Sequence, residues 1–288
     1  MKESLANLPE RKRGELTRIV NIIRQSVPQA EMIILFGSYA RGDWVEDVTV
    51  EGNTTYEYSS DFDILVIVED EATANKNMFW YNIEDKASKL PVQTPVTLIA
   101  HDINFVNRKL EKGQYFFTDI KAEGIALYDS KNYQLAEPKE LTPKQRLDQA
   151  KADFKQWFHS AEVFYGNFEY NMKNQDYKHA AFMLHQATEC FYGTVSLVYT
   201  NYRSKTHKID KLRKQAAQHD PAFFKTFPLN TDEEKHRFDL LRQAYVGARY
   251  HDDYKITPQE LKYLAKCVEL LREQTETSCQ TKMNSFCL

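Results

Sequence analysis

A chain of 288 residues with 42% hydrophobic and 27% charged residues has a globular composition, which excludes disordered and fibrous classes, and has length for two domains at roughly 100–200 residues each. Its formal charge of −3 excludes a global basic excess, so any RNA contact is local. No apolar stretch has secretory length or approaches the roughly 20 residues of a bilayer span. The four cysteines form no C-x-x-C, so they read as free thiols of a cytoplasmic protein without a membrane partner.

In chain order, Leu16, Ile19, Val20 and Ile23 recur at helical spacing until Pro28, predicting a first helix. Met32–Phe36 is a short apolar run stopped by Gly37-Ser38, which suits a buried strand feeding a turn. Phe62–Val68 is a second such run and Pro95–Ala100 a weaker third, with a helix expected over Met78–Lys89. Helices around one small mixed sheet make an α/β (α+β) domain. Between its first two strands lies a long insertion, where Val48, Val50, Tyr56 and Tyr58 alternate around Gly52-Asn53 as in a β-hairpin.

After Tyr128 the chain turns polar and aperiodic, so the first domain is set at residues 1–130 and a linker at 131–142. Residues 143–288 are expected to form an all-α bundle with a flexible C-terminal tail. Thr142-Pro143-Lys144-Gln145 and Thr257-Pro258-Gln259-Glu260 both read as capping boxes with Pro at the first helical position. The stripe Phe154, Trp157, Phe158, Ala161, Phe164 and Phe168 and the face Ala181, Leu184, Ala187, Phe191, Val195 and Val198 predict core, and four helices complete the bundle.

Gly37-Ser38 after one strand and Asp61-x-Asp63 at the start of another are the strongest chemical signal. Side chains two apart on a strand share a face, roughly 6.6 Å apart along it, so Asp61 and Asp63 can hold a hard cation such as Mg²⁺ or Mn²⁺ that completes its shell with water and phosphate. Gly37 lets backbone approach a triphosphate, Ser38 offers a hydroxyl, and Arg41 adds a positive charge.

The runs LFGSYARGD and SDFDILV resemble the minimal nucleotidyltransferases of the DNA polymerase β superfamily, and GQYFFTDIKAEGIALYD resembles the end of that domain. HAAFMLHQATECFY and SKTHKIDKL resemble a HEPN domain. The first resemblance implies transfer of NMP from a metal-bound NTP, ATP by default, to a hydroxyl on a small molecule or protein. It assigns Asp61 and Asp63 as catalytic metal ligands, and Gly37, Ser38 and Arg41 as nucleotide-binding. The pairing implies a toxin–antitoxin-like context, and a homodimer is expected through the helical domain, where Tyr245, Gly247, Ala248 and Tyr250 offer a small-residue and tyrosine surface.

Two departures bear on activity. The family's third carboxylate is expected within Pro95–Ile99, where this chain offers Thr97, which is no base. His101 shares its face and could substitute, but reads more simply as a solvated histidine at a strand end. On the candidate late helix, HRFDLLRQAYVGARYHDDY, the HEPN ribonuclease motif Arg-x(4–6)-His is unmatched, because eight residues separate Arg242 from His251 and Arg249 lies only two positions before it. The basic run Arg203–Lys214 reads as a solvated helix face. The rival readings are a nucleotide-sensing module of weak turnover and a HEPN-based RNA-binding effector, with RNA the less favoured partner.

Overall fold

A computed structural model describes residues 1–2, 4–51 and 54–287, with 47–51 and 54–59 described by backbone alone. Two compact units, Met1–Glu140 and Leu141–Leu288, divide the chain.

The first unit opens with α1 (Glu10–Ser26), whose Leu16, Ile19 and Ile23 are fully buried on the stripe that the sequence marks. It continues through β1 (Ala30–Phe36), the single turn α2 (Ser38–Arg41), β2 (Glu46–Glu51), β3 (Thr54–Ser59) and β4 (Phe62–Val68). Then follow α3 (Glu71–Ala74), α4 (Asn77–Ser88), β5 (Val96–Asp102), α5 (Ile103–Glu111), α6 (Tyr115–Glu123) and β6 (Ile125–Asp129).

Four strands form one mixed sheet in the order β5-β4-β1-β6, with β4 parallel to β5 and β1 antiparallel to both β4 and β6. The central β1 and β4 are apolar on both faces because helices cover both. Ile33, Leu35, Phe62, Ile64 and Val66 share one core with α1 and α4. On the opposite face Phe36 meets Phe116 of α6 edge-on, and His101 stacks on Phe105 of α5.

The insertion is the antiparallel hairpin that its alternation predicts, with Glu46 opposite Ser59 at its root. The Gly52-Asn53 turn lies outside the described residues, as do the side chains of Val48, Val50, Tyr56 and Tyr58. The polar stretch after β6 is tied to the first unit rather than hanging free: Lys121 donates to the carbonyls of Leu135 and Ala136, and the Lys139 amide donates to that of Leu110.

The second unit comprises α7 (Pro143–Lys173), α8 (Tyr177–Thr200), α9 (Ile209–His219), α10 (Phe223–Thr226), α11 (Asp232–Tyr250) and α12 (Pro258–Ser285). Periodicity anticipates four of these. It misses α9, whose apolar positions Ile209, Leu212 and Ala216 are diluted by lysines, and α10, which is one turn long. Both anticipated capping boxes form, and Thr231 with Glu234 makes a third at α11, each cap worth about 1 kcal/mol. The flexible tail expected at the C-terminus is instead the last turns of α12, which bury Cys279 and Met283. Cys190, Cys267, Cys279 and Cys287 are unpaired thiols, the first three buried. Among the described residues no helix is long and apolar enough to cross a membrane.

Candidate active site

The antiparallel pairing of β1 with β4 sets Phe36 opposite Asp63, so the chain leaves β1 beside the second aspartate. The Gly37 turn that follows has φ 73° and ψ −154°, a region glycine enters without steric cost. Ser38 then starts α2, and its Oγ is buried without a hydrogen-bond partner. A buried hydroxyl without a partner is costly, so this one suits a group that supplies acceptor atoms, such as a phosphate.

Asp63 is 6% exposed, and Asp61, just ahead of β4, is half-buried. The parallel register of β4 and β5 sets Thr97 directly beside Asp63, and Thr97 Oγ1 donates to Oδ2 of Asp61 over 3.2 Å. Thr97 thus lies against both aspartates. Among the described residues no three His, Cys, Asp or Glu side chains come together as a metal-holding group. Two hard oxygen donors beside an unsatisfied hydroxyl fit a cation that keeps water and phosphate oxygens in its shell. Arg41 ends α2, and its Nε donates to Asp43 over 3.0 Å, which offsets its charge locally.

His101 is neither solvated nor near the carboxylates. It pairs with Ile67, four residues along from the Asp63–Thr97 pair, roughly 13 Å of strand. It is 2% exposed and stacks on Phe105 with centroids 4.3 Å apart. It is a packing residue.

Residues 17–133 match the family described as Polymerase beta, Nucleotidyltransferase, and residues 154–277 match the HEPN domain. The chain joins a nucleotidyltransferase-type domain to a HEPN domain. Among solved structures it is similar to a nucleotidyltransferase-like protein from Exiguobacterium sibiricum 255-15, at 14% identity and a TM-score of 0.31, over 93% of this chain and 78% of that one. No curated protein matches.

In the nucleotidyltransferase domain the sequence reading passes over Lys12 and Glu15, 1% and 4% exposed on α1. The signal was present: Lys12 falls four residues before Leu16 on the apolar stripe. Burial alone would push the Glu15 carboxyl up. Hydrogen bonds from Thr94 Oγ1 and the Gln93 amide, with the nearby cations of Lys12 and Arg11, bring it below the ordinary carboxylate value.

In the HEPN domain the basic run is a solvated face only in part: Lys205, His207, Lys208 and Lys214 are exposed as expected, whereas Arg203 and Arg213 turn inward. Glu189 of α8 is 2% exposed and receives Arg203 Nη2 at 2.5 Å on one oxygen and His207 Nδ1 at 2.9 Å on the other. Arg213 turns inward to the carbonyls of Phe224 and Phe227. His207 stacks on Tyr245 of α11, and Arg249 lies over the rings of Phe182, Tyr245 and Tyr250. The small-residue surface anticipated on α11 is also filled from within. Gly247 and Ala248 are buried, and a Cβ on Gly247 would meet the Tyr254 ring at 2.8 Å. Val246 and Tyr250 remain exposed, at 46% and 72%.

Proposed function

We propose that the first domain transfers a nucleoside monophosphate from a Mg²⁺- or Mn²⁺-bound NTP, ATP by default, to a hydroxyl of a small molecule or protein. The supporting observation is the meeting of Gly37, the buried Ser38 hydroxyl, Asp61 and Asp63 at one end of the sheet. The acceptor oxygen attacks the α-phosphorus, the bond to the bridging oxygen of the β-phosphate breaks, and pyrophosphate leaves. When bound, the divalent cation neutralises charge on the phosphate oxygens. Asp61 and Asp63 would hold it, while Gly37 and Ser38 hold the triphosphate from the other side. Arg41, tied to Asp43, serves as an outer contact. Thr97 takes up no proton, so the acceptor proton passes to solvent. Because a general base contributes about 10²–10⁴-fold, turnover is expected to be slow.

The test is incubation of the pure chain with each α-³²P-labelled NTP and Mg²⁺ or Mn²⁺, with and without hydroxyl acceptors, following transferred label and released pyrophosphate. Nucleotide binding without release of pyrophosphate would favour the sensing reading, which the position of Thr97 supports. Absence of nucleotide binding would overturn both readings.

We also infer residence in the cytoplasm, which the four unpaired thiols support, and a homodimer through the HEPN domain, now resting on exposed Val246 and Tyr250. A strictly monomeric chain in sedimentation equilibrium would end the latter.

A further inference from the structure

We propose that Lys12 is a positioning residue for the transfer site, holding its chain segments in register from the opposite face of the sheet. The inference rests on the nucleotidyl-transfer reading above. Lysine is almost never fully buried unless paired, yet Lys12 is 1% exposed. Its ammonium pairs with Glu46 at the root of the β2–β3 hairpin and donates to Thr94 Oγ1 over 2.5 Å. It lies 5.3 Å from the centroid of Tyr39 and 5.8 Å from that of Phe62. Thr94 in turn donates to Glu15 of α1 over 2.7 Å.

Each of these partners sits within a few residues of a proposed site residue. Tyr39 follows Ser38, Phe62 stands between Asp61 and Asp63, and Thr94 lies three residues before Thr97. Glu46 opens the hairpin, whose last residue, Ser59, leads through Ser60 into Asp61. Val45 and Ser60 close that root: the Ser60 amide donates to the Val45 carbonyl over 2.9 Å, and the Val45 amide donates to Ser60 Oγ over 3.0 Å.

Strand alternation turns Phe62 toward α1 and leaves Asp61 and Asp63 on the other face. Lys12 therefore acts through backbone position and never meets the nucleotide. An apolar side chain of the same length would fill the space. The ammonium adds three directed donors, which fix a carboxylate and a hydroxyl from separate segments at one point. The insertion root, the start of β4 and the approach to β5 are thereby held together.

Hydrogen exchange and Mg-ATP binding on the full chain test this. Lys12→Met and, should that variant fold poorly, the surface change Glu46→Gln are expected to speed exchange at the Ser60 and Phe62 amides about tenfold. Exchange at Leu16, Ile19 and Ile23 should stay unchanged, and the apparent Kd for Mg-ATP should rise about fivefold. Unchanged exchange at Ser60 and Phe62, uniform acceleration that includes α1, or unaltered Mg-ATP affinity in both variants would overturn the assignment. Failure of the transfer reading looks different: wild type would not bind Mg-ATP, or would bind it equally well with Asp61→Asn and Asp63→Asn combined. The exchange pattern would still decide whether Lys12 holds the hairpin root.

Discussion

A Cβ atom added to Gly37 would lie 2.5 Å from Oδ2 of Asp63, so the turn after β1 and the second aspartate of β4 are built around each other. Gly37→Ala has two costs. The φ of 73° strains an alanine, and the methyl must displace the carboxylate. A loss of about 1–3 kcal/mol in urea unfolding is expected, together with loss of most stabilisation by Mg-ATP. A variant that keeps the full Mg-ATP response would show that Asp63 does not need its present position to bind nucleotide.

Thr97 invites the opposite experiment. It is placed beside Asp63 in register and bonded to Asp61, so on the proposed reading a carboxylate at this position would join the two aspartates as a third donor. Thr97→Asp is expected to tighten Mn²⁺ binding on the order of tenfold while lowering stability without metal, because three carboxylates then crowd together. Calorimetric titration with Mn²⁺ measures the first effect and thermal unfolding with and without metal the second. Weaker Mn²⁺ binding by the variant would remove Thr97 from the site.

The positions of Gly37, Ser38, Asp61 and Asp63 in the fold were legible because each sits at a junction of apolar run and turn, where strand period and turn chemistry both speak. His101 was misjudged because alternation shows which face a residue takes but not what covers that face. Its cover comes from Phe105 and Phe117 on helices later in the chain. Lys12 and Glu189 were missed for a related reason. A charge on an apolar stripe is readable, but its partners Glu46, Arg203 and His207 lie in separate segments that only tertiary folding brings in. The buried state of Gly247 depends likewise on Tyr254, which folds back after α11 ends.

Glu189 gives a stability test within the HEPN domain. Its two oxygens hold Arg203 and His207, which fasten the segment between α8 and α9. Glu189→Ala leaves the largely buried Arg203 guanidinium over Trp157 without its carboxylate. Removing one partner of such a pair costs about 3–5 kcal/mol, read as a shift in the urea unfolding midpoint. A shift within about 0.5 kcal/mol, as for an ordinary surface change, would show that the pair contributes little.

His185, one turn before Glu189 on α8, predicts how stability depends on pH. Its ring is fully buried, and burial lowers its pKa below the ordinary 6.5. The Leu241 carbonyl at 2.9 Å from Nδ1 and the Glu189 carboxylate at 3.9 Å from Nε2 oppose that shift without reversing it. Around it also lie Tyr245 of α11 at 5.4 Å between centroids and His207 beyond Glu189. As pH falls through 6.5 the unfolded chain binds a proton at this position and the folded chain does not. Stability must therefore drop until the folded value is reached, by up to about 1.4 kcal/mol per pH unit. His185→Gln removes that proton and with it that part of the slope. Urea unfolding of both proteins at about pH 7.5 and about pH 5.5 should thus show wild type losing stability relative to the variant on acidification. Parallel profiles would mean that His185 takes up its proton equally in both states, and that its burial carries no penalty for charge.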